Sequence, residues 1–189
     1  MTDFTTHTID TAPDAAKPIL ETAQENFGFV PNLIATMAEA PTLAETYLTV
    51  AGIFGKTNLS ETERQVILMT NNRLNGCEYC MAAHTTISKG AGVPDDVIQS
   101  LRAGTAIADP KLEALRQFSI IVNETRGYPS DADIQALLDA GYTKQTVLEV
   151  VLGTAFKVLS NYTNHIAHTP VDAAFSANAW SATDAVAAE

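Results

Sequence analysis

Both cysteines of this 189-residue chain lie three positions apart, as Cys77 and Cys80, and His84 follows one helical turn later. On a helix these three positions share one face, so the His84 ring can lie beside the Cys80 sulfur. A cysteine reacts as its thiolate, and a nearby imidazole favours that form by accepting or sharing the proton. The spacing therefore indicates thiol redox chemistry.

Two other interpretations of the same residues stay open at this point. Two thiolates and one imidazole are three of the four ligands of a structural zinc site, and His165 or His168 would have to be the fourth. Free cysteines can also be inert, because a thiol often behaves as a small hydrophobic group. The chain would then be a helical oligomeric module with a metal-binding, redox-sensing or inert cysteine pair. We expect neither a metal nor another cofactor, since the chain has no second CxxC and no HxxxH.

The composition is that of a globular domain, with 46% hydrophobic residues and a formal net charge of −11 at pH 7. The acidic excess disfavours nucleic acid as a partner, because that requires a basic surface, and it disfavours an anionic membrane. The segment Met1–Asp10 has no secretory signal pattern, and no apolar run approaches membrane-spanning length. We therefore expect a cytoplasmic protein, in which a CxxC pair is more often catalytic than a permanent cross-link.

The residue pattern predicts an all-α fold in a single domain over residues 1–189. Segments rich in Ala, Leu, Glu and Gln alternate with short Pro, Gly, Ser or Asp interruptions, and no alternating strand pattern is found. We expect the tail, approximately residues 176–189, to fray or to pack on a neighbouring subunit. The expected helices span residues 14–26, 32–55 as two helices divided at Pro41, 60–74, 77–89, 94–102, a segment from 110, 130–140 and 143–167.

The cysteine pair opens the second helix of a predicted hairpin. A capping box at Ser60 starts the first helix, and Asn75-Gly76 ends it. Gln65 and His84 are similarly far from this turn, so they should lie at a similar height on facing helices. Unpaired N–H groups in the first turn of a helix stabilise a thiolate, and a small local adjustment would let the two sulfurs form a reversible disulfide.

The residues of this hairpin have a weak counterpart later in the chain. A duplicated helical unit whose second copy lost its thiols explains this, and so does coincidence. The counterparts, at the same spacings, of Gln65, Cys77, Cys80 and His84 are Glu149, Asn161, Asn164 and His168, in that order.

Residues 59–93 are similar to the core of the alkylhydroperoxidase D and carboxymuconolactone decarboxylase family, and most resemble its peroxidase-related branch. The resemblance is carried by the capped helix LSETERQVIL and by the run LNGCEYCMAAH, and the later SNYTNHIA resembles the end of such chains. It implies an all-α fold whose subunits assemble as trimers or hexamers. It also implies reduction of a small hydroperoxide by the cysteine pair, which an external dithiol regenerates.

The resemblance also implies roles for single residues. Cys80 corresponds to the thiol that reacts with the peroxide, Cys77 to the resolving thiol and His84 to the relay histidine. Gln65 stands where the family has a relay glutamate, and an amide can orient an imidazole but cannot take its proton. Tyr79 stands where the better-known alkylhydroperoxidases have a histidine.

Two further expectations follow from this comparison. The decarboxylase members of the family fit less well, because they work without a cysteine pair. Glu149 could replace the missing carboxylate only if the two halves of the chain pack face to face. The prediction is a thiol-dependent peroxidase or disulfide oxidoreductase with Cys80, Cys77, His84 and Gln65 as its catalytic residues.

Overall fold

The computed structural model describes residues 3–182, which form α-helices and two short 3-10 helices without any β-strand. This confirms the predicted all-α fold. None of these helices combines the length and the hydropathy that crossing a membrane requires. The helices are α1 (Lys17–Phe27), α2 (Asn32–Met37), α3 (Pro41–Phe54), α4 (Glu61–Leu74), α5 (Glu78–Gly90), α6 (Asp95–Ala103), α7 (Pro110–Glu124), α8 (Asp131–Asp139) and α9 (Lys144–Ala167), with 3-10 turns at Asp14–Ala16 and Ala173–Asn178.

Capping residues place the helix boundaries near the predicted positions. The Ser60 hydroxyl accepts a hydrogen bond from the Glu63 N–H at 3.3 Å, and the Glu63 carboxylate accepts one from the Ser60 N–H at 2.8 Å. This reciprocal pair is the capping box that starts α4. Pro41 lies in the first turn of α3, where its missing N–H leaves no helical hydrogen bond unmade.

Helix α4 lies at the centre of the molecule and packs against α5, α6, α7 and α9. Its side chains Val66, Ile67 and Met69 are fully buried in the main hydrophobic core. Helix α9 approaches α4 closely at Gly153, where an added Cβ would lie 2.6 Å from Ile67 Cγ2 and 3.0 Å from Phe54 Cε2. The contact between these two helices therefore depends on a position without a side chain.

The predicted hairpin is formed by α4 and α5. Gly76 adopts a φ of 65°, in the left-handed region that glycine favours, and this turn joins the two helices. Cys77 is the N-cap of α5, and Cys80 lies in its first turn. The weak counterpart of this region, from Glu149 to His168, instead follows one continuous helix, α9, with His168 as its C-cap. The equal spacings therefore do not correspond to equal local structures.

The chain after α9 returns over α5 and α6. Lys89 Nζ donates to Asn178 Oδ1 at 2.7 Å, and Trp180 Nε1 donates to the Arg102 carbonyl at 3.0 Å. Residues 178–182 therefore hold onto their own chain and do not fray, while the expected packing on a neighbouring subunit stays a prediction. The rest of the expected tail, residues 183–189, lies outside the described residues.

Candidate thiol site

The hairpin brings the four predicted site residues together. Gln65 Oε1 and His84 Nδ1 are 2.9 Å apart across the two helices, which confirms the predicted register. Cys77 and Cys80 are both buried free thiols at the start of α5. Cys80 and His84 line the same small pocket. The site is therefore assembled by the turn between α4 and α5.

Lys157 of α9 completes this site and was not predicted from the cysteine motif. Its side chain is 0% exposed, and its Nζ lies 3.0 Å from His84 Nε2. A charge this deeply buried requires a partner of opposite charge or a strong acceptor. Lys157 is the only lysine or arginine after Lys144, and it interrupts the apolar pattern of a long helix. That interruption is the sequence signal that could have identified it.

A directed chain of hydrogen bonds fixes the tautomer of His84. Gln65 Nε2 donates to Glu61 Oε1 at 2.8 Å, so the Gln65 amide presents its oxygen to His84 as an acceptor. His84 therefore donates from Nδ1–H, and its Nε2 lone pair accepts from the Lys157 ammonium. Burial and the Lys157 charge hold the pKa of His84 well below its usual value. The ring is neutral, and a carboxylate stands at the far end of the chain, on Glu61.

The two thiols differ in acidity. Burial opposes the ionisation of Cys80, but the hydrogen bond from Cys77, the Lys157 charge and hydrogen bonds from Ser160 and Asn161 outweigh it and lower the pKa of Cys80 to about 5. The hydrogen bond to Cys80, together with burial, raises the pKa of Cys77. Cys80 is therefore the thiolate of the pair, and Cys77 keeps its proton.

The side-chain amide of Asn164 contacts both sulfur atoms. Its Nδ2 lies 3.2 Å from Cys80 Sγ and 3.7 Å from Cys77 Sγ. An N–H donor favours the charged form of an acceptor, so this contact also supports a thiolate. The hydrogen bonds of His84 go across the hairpin and to α9 rather than to these contacts. The relay role of His84 toward Cys80 stays a prediction.

Buried asparagines fix the start of α5 against α4 and α9. Asn72 Nδ2 donates to the Cys80 carbonyl at 3.2 Å, and Asn161 Nδ2 donates to Asn72 Oδ1 at 3.0 Å. Asn75 Nδ2 in turn donates to Asn161 Oδ1 at 2.8 Å. Asparagine is a poor helix former. Its repeated use within α4 and α9 is therefore a second sequence signal for this site.

Tyr79 has a structural role between the two cysteines. Its hydroxyl donates to Asp172 Oδ2 at 2.5 Å and accepts from the Leu33 N–H at 3.2 Å. Burial and the hydrogen bond to Asp172 raise the pKa of Tyr79. The side chain thereby joins α5 to α2 and to the segment after α9, and it does not supply the proton-accepting group that a histidine there would.

Two alternative assignments find no support in the geometry. Glu149 Oε1 accepts from the Asn58 N–H at 3.2 Å and from Gln145 Nε2 at 2.8 Å, so this carboxylate is not part of the His84 chain. Within residues 3–182, no group of three or more His, Cys, Asp and Glu side chains is arranged to hold a metal ion. This includes the arrangement with His165 or His168 that the zinc interpretation requires.

The pocket at Cys80 is narrow, with a volume of about 50 Å³. A cavity of roughly 10–15 Å³ holds one water molecule, and an enclosed apolar cavity of roughly 150 Å³ binds a benzene ring. The pocket therefore has room for a two-oxygen group beside the sulfur but not for a bulky ring. Much of its wall is aromatic, from Phe27, Tyr47, Tyr79 and Phe175.

Comparison with known proteins gives a family and a fold. Residues 41–120 match the carboxymuconolactone decarboxylase family, while no curated protein matches the sequence. The chain is similar to a peroxidase-related protein with an alkylhydroperoxidase AhpD core from Ralstonia eutropha JMP134. The two share 25% identity and a TM-score of 0.77, over 91% of this chain and 93% of that chain.

Two further solved structures have the same fold. A peroxidase-related protein from Silicibacter sp. TM1040 has a TM-score of 0.77 at 21% identity, covering 92% of each chain. The debrominase Bmp8 in complex with 2,3,4-tribromopyrrole has a TM-score of 0.77 at 20% identity, covering 94% of this chain and 96% of that chain. These likenesses agree with the all-α fold that the resemblance predicted.

Proposed function

Since residues 41–120 match the carboxymuconolactone decarboxylase family, we propose that this chain is a thiol-dependent peroxidase that reduces a small hydroperoxide at Cys80. The observation that carries the proposal is the charge arrangement of the site. Cys80 is the thiolate of the pair, and the buried Lys157 ammonium lines the same pocket. A thiolate held next to a cation, with a resolving thiol beside it, is suited to two-electron reduction of a peroxide.

The first step transfers one oxygen atom to Cys80. The thiolate attacks the terminal oxygen of the hydroperoxide, the O–O bond breaks, and the alkoxide or hydroxide leaves with the bonding electron pair. The leaving oxygen takes up a proton, and the Lys157 ammonium is a donor at this pocket. Cys80 is thereby oxidised to a sulfenic acid.

The second step uses Cys77. Its sulfur attacks the Cys80 sulfenic sulfur, the S–O bond breaks, and the hydroxyl leaves as water with the proton of Cys77. The two sulfurs thus form a disulfide. An external thiol reductant must return the pair to its reduced form, which places the proposed cycle in a reducing compartment such as the cytoplasm.

The remaining residues position the charges. Gln65 and Glu61 hold the His84 ring so that its Nε2 lone pair receives the Lys157 ammonium. The neutral ring therefore keeps the cation next to the pocket without adding a positive charge of its own. We assign Gln65 and His84 to this positioning role, in which an amide serves as well as the family's glutamate.

The narrow pocket favours a peroxide over a halogenated ring as the electrophile. A debrominase has the same fold, and a thiol pair has the two electrons that replacing bromine by hydrogen requires. A pocket of about 50 Å³ admits a hydroperoxyl group more readily than a brominated ring. We therefore expect hydrogen peroxide to react faster than a bulky peroxide such as cumene hydroperoxide.

Stopped-flow kinetics with hydrogen peroxide tests the proposal. We expect Cys80→Ser to lose peroxide consumption, because no thiolate remains in the pocket. Cys77→Ser is the matched control, and it should react once and stop at a sulfenic acid that dimedone labels at Cys80. If Cys80→Ser consumes peroxide as fast as the wild type, or if the wild type does not react, the proposal is wrong.

We expect the active form to be a homo-oligomer, as the family resemblance implies. Helix α9 carries exposed apolar side chains along one face, of which Val151, Tyr162 and Ile166 are 51%, 51% and 64% exposed. An apolar groove of about 370 Å³ lies beside the last two. Exposed apolar surface of this kind is typical of a protein interface, and we assign it to a second copy of this chain.

A further inference from the structure

Cys77 lines a second cavity, which neither Cys80 nor Lys157 lines. This cavity has a volume of about 400 Å³. It is therefore much larger than the pocket at Cys80. Its wall includes Cys77, Glu78, Asn164, His165, His168 and Thr169.

Two buried oxygen atoms on residues of this wall lack a hydrogen-bond partner. Asn164 and Thr169 are only 6% and 8% exposed. Their side-chain oxygens, Oδ1 and Oγ1, are buried without a partner among residues 3–182. Buried polar atoms in proteins are nearly always hydrogen-bonded. The Asn164 oxygen can only accept and the Thr169 hydroxyl can accept or donate, so a ligand that carries N–H groups would satisfy both.

The chemistry of exchange distinguishes the two sulfurs of an oxidised pair. When a thiolate attacks a disulfide, the sulfur with the lower thiol pKa leaves faster. When the Cys77 sulfur is bound to the reductant, the Lys157 charge and the hydrogen-bond donors Ser160, Asn161 and Asn164 remain beside Cys80 and make Cys80 that sulfur. Attack on Cys77 is therefore favoured, and Cys77 is the sulfur that the second cavity reaches.

We infer that this second cavity binds the thiol that regenerates the enzyme, namely a cysteinyl thiol whose neighbouring amide N–H groups bond the oxygens of Asn164 and Thr169. The inference rests on the proposed function, because it requires that Cys77 and Cys80 form a disulfide. Hydroperoxide and reductant then reach the pair through different cavities. The two half-reactions can therefore be altered separately.

The exchange proceeds in two balanced steps. The reductant thiolate attacks Cys77 Sγ, the bond between the two protein sulfurs breaks, and Cys80 leaves as a thiolate with the electron pair. A second reductant thiolate attacks the reductant sulfur of the mixed disulfide. This releases an oxidised reductant disulfide and the Cys77 thiolate, which takes up a proton.

Two threonine-to-valine substitutions, one inside the cavity and one outside it, test whether the reductant binds there. The protein is first oxidised with diamide, so the reduction is measured without any peroxide reaction. Thr169→Val removes the unpartnered hydroxyl and keeps the shape of the side chain. We expect reduction by glutathione to slow about two- to tenfold, the effect of one lost hydrogen bond. Thr154→Val removes another buried, unpartnered hydroxyl that lies outside the cavity, and it should leave the rate unchanged.

Peptide mass spectrometry identifies the sulfur that is attacked. The reduction is stopped with iodoacetamide, and tandem spectra locate glutathione within the peptide that contains both cysteines. Glutathione on Cys77 and carbamidomethyl on Cys80 is the expected result. Glutathione on Cys80, or equal rates for Thr169→Val and the wild type with both glutathione and thioredoxin, would overturn the inference. So would an equal loss of rate in Thr154→Val, or a protein that diamide leaves with two free thiols.

Thioredoxin in place of glutathione identifies the source of the cysteinyl thiol. If Thr169→Val slows glutathione alone, the reductant is a free thiol peptide. If it slows thioredoxin, the reductant is the exposed cysteine of a redox protein. If it slows neither reductant, the cavity is not their entry site, and the inference fails.

Discussion

At the scale of single residues, Lys157 determines the charge of the site. It is the fully buried cation that lowers the pKa of Cys80 and also accounts in part for the low pKa of His84. The cysteine motif supplies the nucleophile and its resolving partner. The lysine comes from a helix far along the chain and, together with the hydrogen bond from Cys77, favours the thiolate form of Cys80.

Lys157→Met tests this assignment because methionine keeps the length of the side chain and removes the charge. In Cys77→Ser, where the serine hydroxyl can keep a hydrogen bond to Cys80, alkylation of Cys80 should be fast at neutral pH and should slow at acidic pH, where the thiolate takes up a proton. In the variant the pKa of Cys80 rises, so the same loss of rate occurs at higher pH. The measurement is the rate of iodoacetamide labelling at Cys80 against pH, in Cys77→Ser and in Cys77→Ser with Lys157→Met. Identical profiles would remove Lys157 from the site.

The Gln65 amide donates a hydrogen bond to the Glu61 carboxylate. This contact predicts what happens when the family's glutamate is restored at position 65. Gln65→Glu would place a second carboxylate within hydrogen-bond distance of Glu61 and leave no donor between them. We expect the free energy of unfolding at pH 7 to fall by about 1–3 kcal/mol, with no gain in peroxide rate. Urea denaturation measures the first effect and stopped-flow kinetics the second.

The control for this prediction is the double variant with Gln65→Glu and Glu61→Gln. It restores one carboxylate and one amide to the pair in exchanged positions. Its stability should recover most of the loss. A single variant that is as stable as the wild type and reacts faster with peroxide would show that Glu61 does not constrain this position.

At the scale of helices, the site depends on how closely α9 approaches α4. Asn161, Asn164 and Lys157 reach the cysteines only because α9 lies against the hairpin. Gly153 is the position that allows this approach, since an added Cβ would overlap with Ile67. The separation of these two helices is therefore a determinant of the site geometry.

Gly153→Ala should destabilise the protein although alanine favours helix formation. Overpacking a filled core costs about 1–3 kcal/mol, and the gain in helix propensity recovers about 1 kcal/mol of this. We expect a net loss in the free energy of unfolding, measured in urea, and a slower reaction of Cys80 with peroxide. Gly52→Ala in α3 is the control, since its Cβ would meet nothing within 4 Å. A variant at Gly153 as stable as this control would contradict the proposed packing.

At the scale of the whole molecule, the acidic charge and the apolar face of α9 bear on the proposed partners. A net charge of −11 disfavours polyanions. Apolar side chains such as Ile166 remain exposed on a single copy of the chain. A second copy that covers this face would remove that surface from water.

Ile166→Lys should therefore dissociate or shrink the oligomer, because it places a charge in the apolar contact. Sedimentation or light scattering gives the mass of each form. Tyr128→Lys changes a side chain that is 84% exposed outside this face, so its mass should match the wild type. A wild-type protein that sediments as a monomer would exclude the proposed interface.

The sequence by itself determined the helices, the hairpin and the residues that could react. Caps such as Ser60, the turn at Gly76 and the helical spacing of Cys77, Cys80 and His84 are local features, and local hydrogen bonds and backbone preferences fix them. The facing of Gln65 and His84 follows from the same local geometry, because one short turn sets the register of both helices.

Only the tertiary structure decided which sulfur is ionised and which cavity each sulfur meets. The charge from Lys157, the amide of Asn164 and the unpartnered oxygen of Thr169 all come from residues more than seventy positions after the cysteines. Charge and hydrogen bonding act through space at a few ångströms, whereas spacing along the chain reports only the nearest turns of one helix. The site is therefore completed by the packing of α9 against the hairpin.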